Sequence, residues 1–217
     1  MTKLMNQVAL VTGAGTGLGR AIAKSLANEG FIVVLNGRRE EKLREVEKEI
    51  GEDKAIVIPA DVTNEKSVQA LKSRLLELTD GKLNVLVNNV GGVPATGRIT
   101  EMTLEQWQQV MDKNLTSQFL VTKAFLPTLR NNENGKIISV TSGMAQFYVD
   151  GFSAYSASKA GVESLMKTVA EEEKDNGIEV HLFDPQNVIS EANPQGEKNP
   201  MEVVGSLIEL LASKSTK

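Results

Sequence analysis

Thr12-Gly13-Ala14-Gly15-Thr16-Gly17-Leu18-Gly19, the stretch TGAGTGLG at residues 12–19, lies between the apolar run Val8-Ala9-Leu10-Val11 and a segment with helical spacing of its apolar residues. It reads as a glycine turn joining a first strand to a first helix. Such a turn aims backbone N–H groups and the positive end of a helix at a phosphate. The common dinucleotide spacing G-x-G-x-x-G fails, because position 18 is Leu. The glycines satisfy G-x-x-x-G-x-G instead, through Gly13, Gly17 and Gly19. Gly17 and Gly19 have no Cβ to hold a pyrophosphate off, so Thr16, Gly17, Leu18 and Gly19 are candidate contacts. In isolation the stretch is equally a plain tight turn, and its surroundings decide between the two.

Outward from the turn, apolar runs rich in β-branched residues at 8–11, 31–35, 55–58, 83–87, 136–140 and 178–183 read as strands. Between them, 17–29, 39–50, 64–79, 103–130 and 153–175 read as helices, and 201–212 as a terminal one. Asp61-Val62-Thr63-Asn64 precedes one helix, and Gly30, Gly51, Gly81 and Gly177 follow the ends of others. Strand-helix alternation predicts an α/β fold: a doubly wound parallel sheet in three α/β/α layers, with right-handed crossovers. No repeat, low-complexity segment or linker divides the chain, so residues 1–217 read as one domain.

Composition narrows the class of partner. Hydrophobic residues make up 41% and charged residues 24%, as in ordinary globular proteins. A net charge of −4 without a basic cluster offers no footprint for nucleic acid or an anionic membrane. Cysteine is absent, which removes disulfide and thiol chemistry and disfavours a structural zinc site. Met1 to Gln7 lacks the apolar core of a signal peptide and no run suits a membrane span, so the expectation is a cytoplasmic protein acting on a small molecule.

In this architecture a carboxylate near the end of the second strand usually binds the adenosine ribose hydroxyls. Phe31-Ile32-Val33-Val34-Leu35-Asn36-Gly37-Arg38-Arg39 contains no acid there and two arginines instead. A guanidinium fork suits a phosphate ester better than a neutral hydroxyl, so the expected cofactor is NADP(H) rather than NAD(H). The plainer alternative is that Arg38 and Arg39 only begin a charged helix. Further on, Tyr155 and Lys159 are spaced i,i+4 among small residues and share one helix face, about 6 Å apart along the axis. A nearby ammonium would pull a phenol's pKa down from about 10, giving a tunable proton donor and acceptor.

Together these motifs resemble the short-chain dehydrogenase/reductase family. Its T-G-x-x-x-G-x-G turn matches Thr12 to Gly19, its N-N-A-G matches Asn88-Asn89-Val90-Gly91 with Val for Ala, and its Y-x-x-x-K matches Tyr155 and Lys159. Ser142 precedes the tyrosine at the family's serine spacing, and Asn114 lies on the preceding long helix where the family keeps its asparagine. The resemblance runs in order from about residue 6 to 190. It implies a Rossmann fold with hydride transfer between a nicotinamide and a carbonyl or alcohol. In that mechanism Tyr155 exchanges the proton and Lys159 tunes it and holds the nicotinamide ribose. Ser142 binds the substrate oxygen, and Asn114 holds a water linking the lysine to solvent. Thr141 and Ser139 are close enough to compete with Ser142 for its assignment. The resemblance also implies cofactor contacts from Asp61 and Val62 at the adenine and from Asn88 and Gly91 at the adenosine ribose. For Asn88 a purely structural bond at the sheet end is the other reading. Family members frequently form homodimers or homotetramers through the helices at 103–130 and 153–175.

The pattern departs from the family after the last strand, where N-x-x-x-P-G and a nearby Thr usually bind the nicotinamide. Here Pro185, Val188 and Ser190 fall in register, but Gln186 replaces the glycine, which strains the chain if its φ is positive. The loop at about 191–200 is short and the chain stops at Ser213 to Lys217, where the family commonly adds a strand. An open substrate site follows from that reading. Met144, Gln146, Phe147 and Phe152 are candidate pocket residues, while His181, Trp107 and Met111 read as structural. The substrate stays open among a 3-oxoacyl thioester, a sugar and a small ketone. The rival function is a nucleotide-binding relative with a regulatory or structural role and no turnover.

Overall fold

The first strand, β1 (Val8–Thr12), is buried along its whole length, with Val8 and Leu10 in the core on one face of the sheet and Ala9 and Val11 in the core on the other. A strand covered on both sides has no polar face, which is why its sequence is a continuous apolar run rather than an alternation. The computed structural model describes residues 7–132, 135–191 and 193–212. Most of the signal-peptide reading and the chain end at Ser213 to Lys217 therefore lie outside the described residues.

β1 is followed by α1 (Gly17–Asn28), β2 (Ile32–Gly37), α2 (Glu40–Ile50), β3 (Ala55–Pro59), α3 (Glu65–Leu78), β4 (Val85–Asn88), α4 (Leu104–Met111) and α5 (Ser117–Arg130). β5 (Lys136–Val140), α6 (Ser153–Glu172), β6 (Glu179–Phe183) and α7 (Pro200–Ala212) complete it. All five strand pairings are parallel, in the order β3-β2-β1-β4-β5-β6. The α/β Rossmann class read from the sequence is the one observed. Element ends differ from the expected ones by at most three residues, the largest difference being at the end of α6, except in the long helix discussed below.

One core layer gathers Ile22 and Leu26 of α1, Leu43 and Val46 of α2 and Val204 and Leu207 of α7 against the sheet. The opposite layer gathers Leu71 of α3, Phe125 of α5 and Val162 and Met166 of α6. Fully buried side chains such as Leu10, Leu26 and Phe125 each contribute roughly 2 kcal/mol of hydrophobic stabilisation before entropy is counted. Among the described residues no helix is long and apolar enough to cross a membrane.

The sequence predicts one helix over 103–130, but the structure breaks it into α4 and α5 around a π-helical turn at Asp112–Thr116. The cause is Asn114. Its Nδ2 donates to Val110 O (2.9 Å) and to Gly92 O (2.8 Å), while its Oδ1 accepts from Gly92 N (2.9 Å). A widened turn lets this buried amide serve its own helix and the loop after β4 together. Apolar periodicity carries no trace of such a bulge.

Because the chain turns to opposite sides after β1 and β4, a crevice opens where these adjacent strands end. Thr12 closes its floor. Its hydroxyl donates to Val87 O (3.2 Å) and accepts from Asn89 N (2.9 Å) and Val90 N (3.2 Å), and its carbonyl accepts from Asn89 Nδ2 (2.8 Å). Thr12→Val keeps the shape but removes the acceptor. It is expected to cost about 1 to 2 kcal/mol in urea unfolding, with Thr12→Ser retaining most of the wild-type stability.

Candidate active site

The crevice widens into a cleft of about 1180 Å³, lined at one end by the glycine turn and at the other by Ser142, Tyr155 and Lys159. Gly13 and Gly17 turn at φ 66° and 52°. A Cβ on Gly19 would collide with the Gly13 carbonyl oxygen and press on Asn89 Nδ2, so only glycine lets α1 start this close to the turn. Thr16 is the N-cap of α1 but makes no side-chain capping bond, and no acidic residue stands in the first helical turn. The exposed N–H groups of that turn fit an anion.

Arg38 and Arg39 follow β2 and both line the cleft, but their surroundings differ. Arg39 forms an ion pair with Glu191 (2.6 Å), and this contact holds its pKa up. Arg38 has no ion pair or side-chain hydrogen bond among the described residues. Asp61 and Val62 line the cleft after β3, with Asp61 Oδ1 accepting from the Thr63 N–H (3.0 Å) and hydroxyl (2.8 Å). Asn88 is placed differently. Its Nδ2 donates to Thr122 Oγ1 on α5 (2.9 Å) and to Ser139 Oγ on β5 (3.2 Å), so it braces β4 against both, and Asn89, Val90 and Gly91 line the cleft.

At the far end, β5 delivers Ser142 and α6 delivers Tyr155 and Lys159. The neighbouring hydroxyls are otherwise engaged: Ser139 is buried against Asn88, and Thr141 donates to Glu163 (3.1 Å). Thr141 and Ser142 both line the cleft, but only Ser142 keeps a hydroxyl not donated to a carboxylate, oriented by accepting from Met144 N (3.3 Å). Lys159 is 2% exposed, donates to Val140 O (2.9 Å), and lies with its Nζ 5.7 Å from the centre of the Tyr155 ring. A Cβ on Gly91 would stand 3.0 Å from Asn114 Oδ1 and 3.2 Å from Lys159 Nζ. Glycine at this position therefore keeps open the space that the amide and the ammonium share.

Burial lowers the Lys159 pKa to about 8, with the Asp184 carboxylate acting in the opposite sense. For Tyr155 the sequence-based expectation of a lowered pKa is corrected. Burial raises it, the Ser142 hydroxyl pulls it down by hydrogen bonding, and Asp184 raises it again. Desolvation of the phenolate dominates, so the phenol is held in its proton-donating form.

Asp184 is a residue the motif reading missed, although it directly precedes the in-register Pro185. Its Oδ1 accepts from Gln186 N (2.8 Å), and this small turn accompanies the left-handed conformation of Gln186, φ 61°. The strain expected of a non-glycine residue there is present, on the order of 1 kcal/mol. Val188 pairs with Lys198 and Ser190 with Asn193, folding the short loop back on itself beside Gly17. Ser190 Oγ accepts from Asn193 N (3.0 Å), so its hydroxyl is engaged within that loop. Pro185, Val188 and Ser190 line the cleft, as do Met144, Phe147 and Phe152, but not Gln146. Phe147 is 71% exposed, consistent with an open substrate end. His181 contacts Glu179 (3.3 Å) on the edge strand, away from the cleft. Among the described residues no cluster of His, Asp and Glu could hold a metal ion.

A glycine-floored cleft at the switch point of a parallel sheet, ending on a tyrosine, a lysine and a serine, defines the class of nucleotide-dependent oxidoreductases. Residues 7–200 match the short chain dehydrogenase family. An uncharacterized oxidoreductase of Staphylococcus aureus (strain MW2) is 32% identical over 221 residues, covering 99% of this chain and 95% of its own. A metagenomic short-chain oxidoreductase solved in complex with NADP superposes with a TM-score of 0.86 at 31% identity, covering 100% of this chain and 95% of its own. A short-chain dehydrogenase/reductase from Burkholderia phymatum, solved with NAD, gives 0.89 at 25% identity, covering 98% and 88%. This chain belongs to the short-chain dehydrogenase/reductase family and is an oxidoreductase of that type.

A buried ammonium with a depressed pKa opposes folding. Between about pH 8 and 10.5 the unfolded chain holds a proton on Lys159 that the folded chain has lost, so stability rises with pH across that window. Lys159→Met is expected to stabilise the protein in the absence of cofactor, by on the order of 2 kcal/mol at pH 7. Denaturation at several pH values checks this, because the gain should shrink above pH 8.

Proposed function

We propose that the protein transfers hydride between NADP(H) and a small carbonyl or alcohol substrate. The observation that carries this reading is the convergence of Tyr155, Ser142 and Lys159 on one end of a cleft whose other end presents the glycine turn and Arg38, which has no ion pair among the described residues. The bound dinucleotide supplies the hydride. The first turn of α1 holds its pyrophosphate, with Gly13, Thr16, Gly17, Leu18 and Gly19 in contact. Arg38 binds the 2′-phosphate, and Arg39 can join it by exchanging its Glu191 partner for that phosphate.

The protein's own side chains handle the proton. Tyr155, neutral in its buried position, donates to the substrate oxygen during reduction and accepts in the reverse direction. Ser142 donates a hydrogen bond to the same oxygen as negative charge develops on it. Lys159 contacts the nicotinamide ribose, and its charge is sustained by Asp184. Asn114 Oδ1, facing the lysine across Gly91, keeps an acceptor site for a water leading to solvent. Pro185, Val188 and Ser190 flank the nicotinamide. Leu104 on α4 and Phe119 on α5, 78% and 44% exposed, support a homodimer or homotetramer built on those helices.

Assay of NADPH oxidation over a panel of carbonyl compounds tests the reading. Turnover is expected, and Tyr155→Phe should lower it by about 100-fold or more while leaving NADPH binding intact. Binding of NADPH with no turnover across the panel overturns the enzymatic reading in favour of a regulatory or structural role. For the cofactor, wild type should bind NADPH more tightly than NADH, and Arg38→Ala should lose about tenfold for NADPH alone.

A further inference from the structure

We propose that Lys113 joins Arg38 in clamping the 2′-phosphate of the cofactor, and so is a second determinant of the choice between NADPH and NADH. This inference rests on the NADP(H) reading above. Lys113 belongs to the π-helical turn that aims its neighbour Asn114 at Gly92, and that turn brings the lysine to the wall of the cleft that Arg38 also lines. Neither side chain has an ion pair or hydrogen bond among the described residues. Their neighbours do: Arg39 is paired with Glu191 (2.6 Å) and Lys42 with Glu45 (2.8 Å).

Lys113 is half-buried. Burial lowers its pKa, and the charge of Arg38 lowers it further, so the two cations stand close enough to repel each other. Two like charges, one of them partly desolvated, oppose folding unless an anion joins them. Among the described residues, no carboxylate lining the cleft forms an ion pair with Arg38 or Lys113, and Glu191 is taken by Arg39. Asp61 Oδ1 accepts from Thr63, and Asp112 Oδ1 accepts from Gln108 (3.1 Å) and Thr116 (3.1 Å). The pyrophosphate is provided for by the first turn of α1 and does not account for a cation pair that includes the residue after β2. A phosphate monoester carrying nearly two negative charges at neutral pH matches the pair in sign and magnitude.

The test is equilibrium binding of NADPH, NADH, 2′,5′-ADP and 5′-AMP to the full chain, in wild type, Lys113→Met and Lys113→Arg. Lys113→Met should weaken NADPH and 2′,5′-ADP by about tenfold. It should leave NADH and 5′-AMP unchanged or slightly tighter, and the melting temperature unchanged or raised, because a repulsion is gone. Lys113→Arg should keep the wild-type preference. A wild-type preference for NADPH that persists undiminished in Lys113→Met overturns the clamp alone. An equal loss for all four ligands also overturns it, assigning the lysine to the pyrophosphate or to folding. A wild type that binds NADPH and NADH equally overturns the cofactor reading and the clamp together.

Discussion

The hydroxyl of Thr12 ties together the two halves of the sheet at the place where the cleft opens. By accepting from Asn89 and Val90 and donating to Val87, it fixes the end of β1 against the end of β4. The glycine turn hangs from one of those ends and the Val90–Gly92 segment from the other. Gly92 in turn anchors Asn114, and Gly91 leaves the space that Asn114 and Lys159 face. The phosphate end and the proton-transfer end of the cleft are thereby referenced to one buried side chain, 1% exposed.

Much of this was legible in the sequence because it depends on local geometry or on backbone crowding. Fully buried parallel strands must be apolar throughout, and the six runs announce themselves. A helix that starts under a carbonyl must begin with glycine at Gly19, and a shared helix face requires Tyr155 and Lys159 to be spaced as they are. What was not legible depends on partners distant in the chain. Nothing local distinguishes Arg38 from Arg39, and only the fold brings Glu191 to one of them. Asn88 and Asn89 are adjacent and chemically identical, yet the strand pleat turns the first inward to Thr122 and Ser139 and leaves the second at the cleft. The π turn, the half-burial of Lys113 and the reach of Asp184 toward Tyr155 are likewise tertiary facts.

The electrostatics of the far end show two desolvated groups held in opposite regimes. Burial works against the charge on Lys159 and against the charge that Tyr155 would acquire on losing its proton, and Asp184 favours the cationic lysine over the phenolate. The site therefore keeps its proton on the phenol until something else compensates the phenolate. Such an arrangement is costly to stability and suited to chemistry, a common outcome where function needs buried ionisable groups.

Gln186 carries a further implication for how the molecule comes apart. A left-handed glutamine beside a loop held by two isolated bridges concentrates conformational strain in the segment that skirts the substrate end. With a domain's whole margin of stability only several kcal/mol, that segment has the least to lose by detaching. Amide protons of residues 186–191, 193 and 195–198 should consequently exchange through local fraying, well before the central strands release theirs.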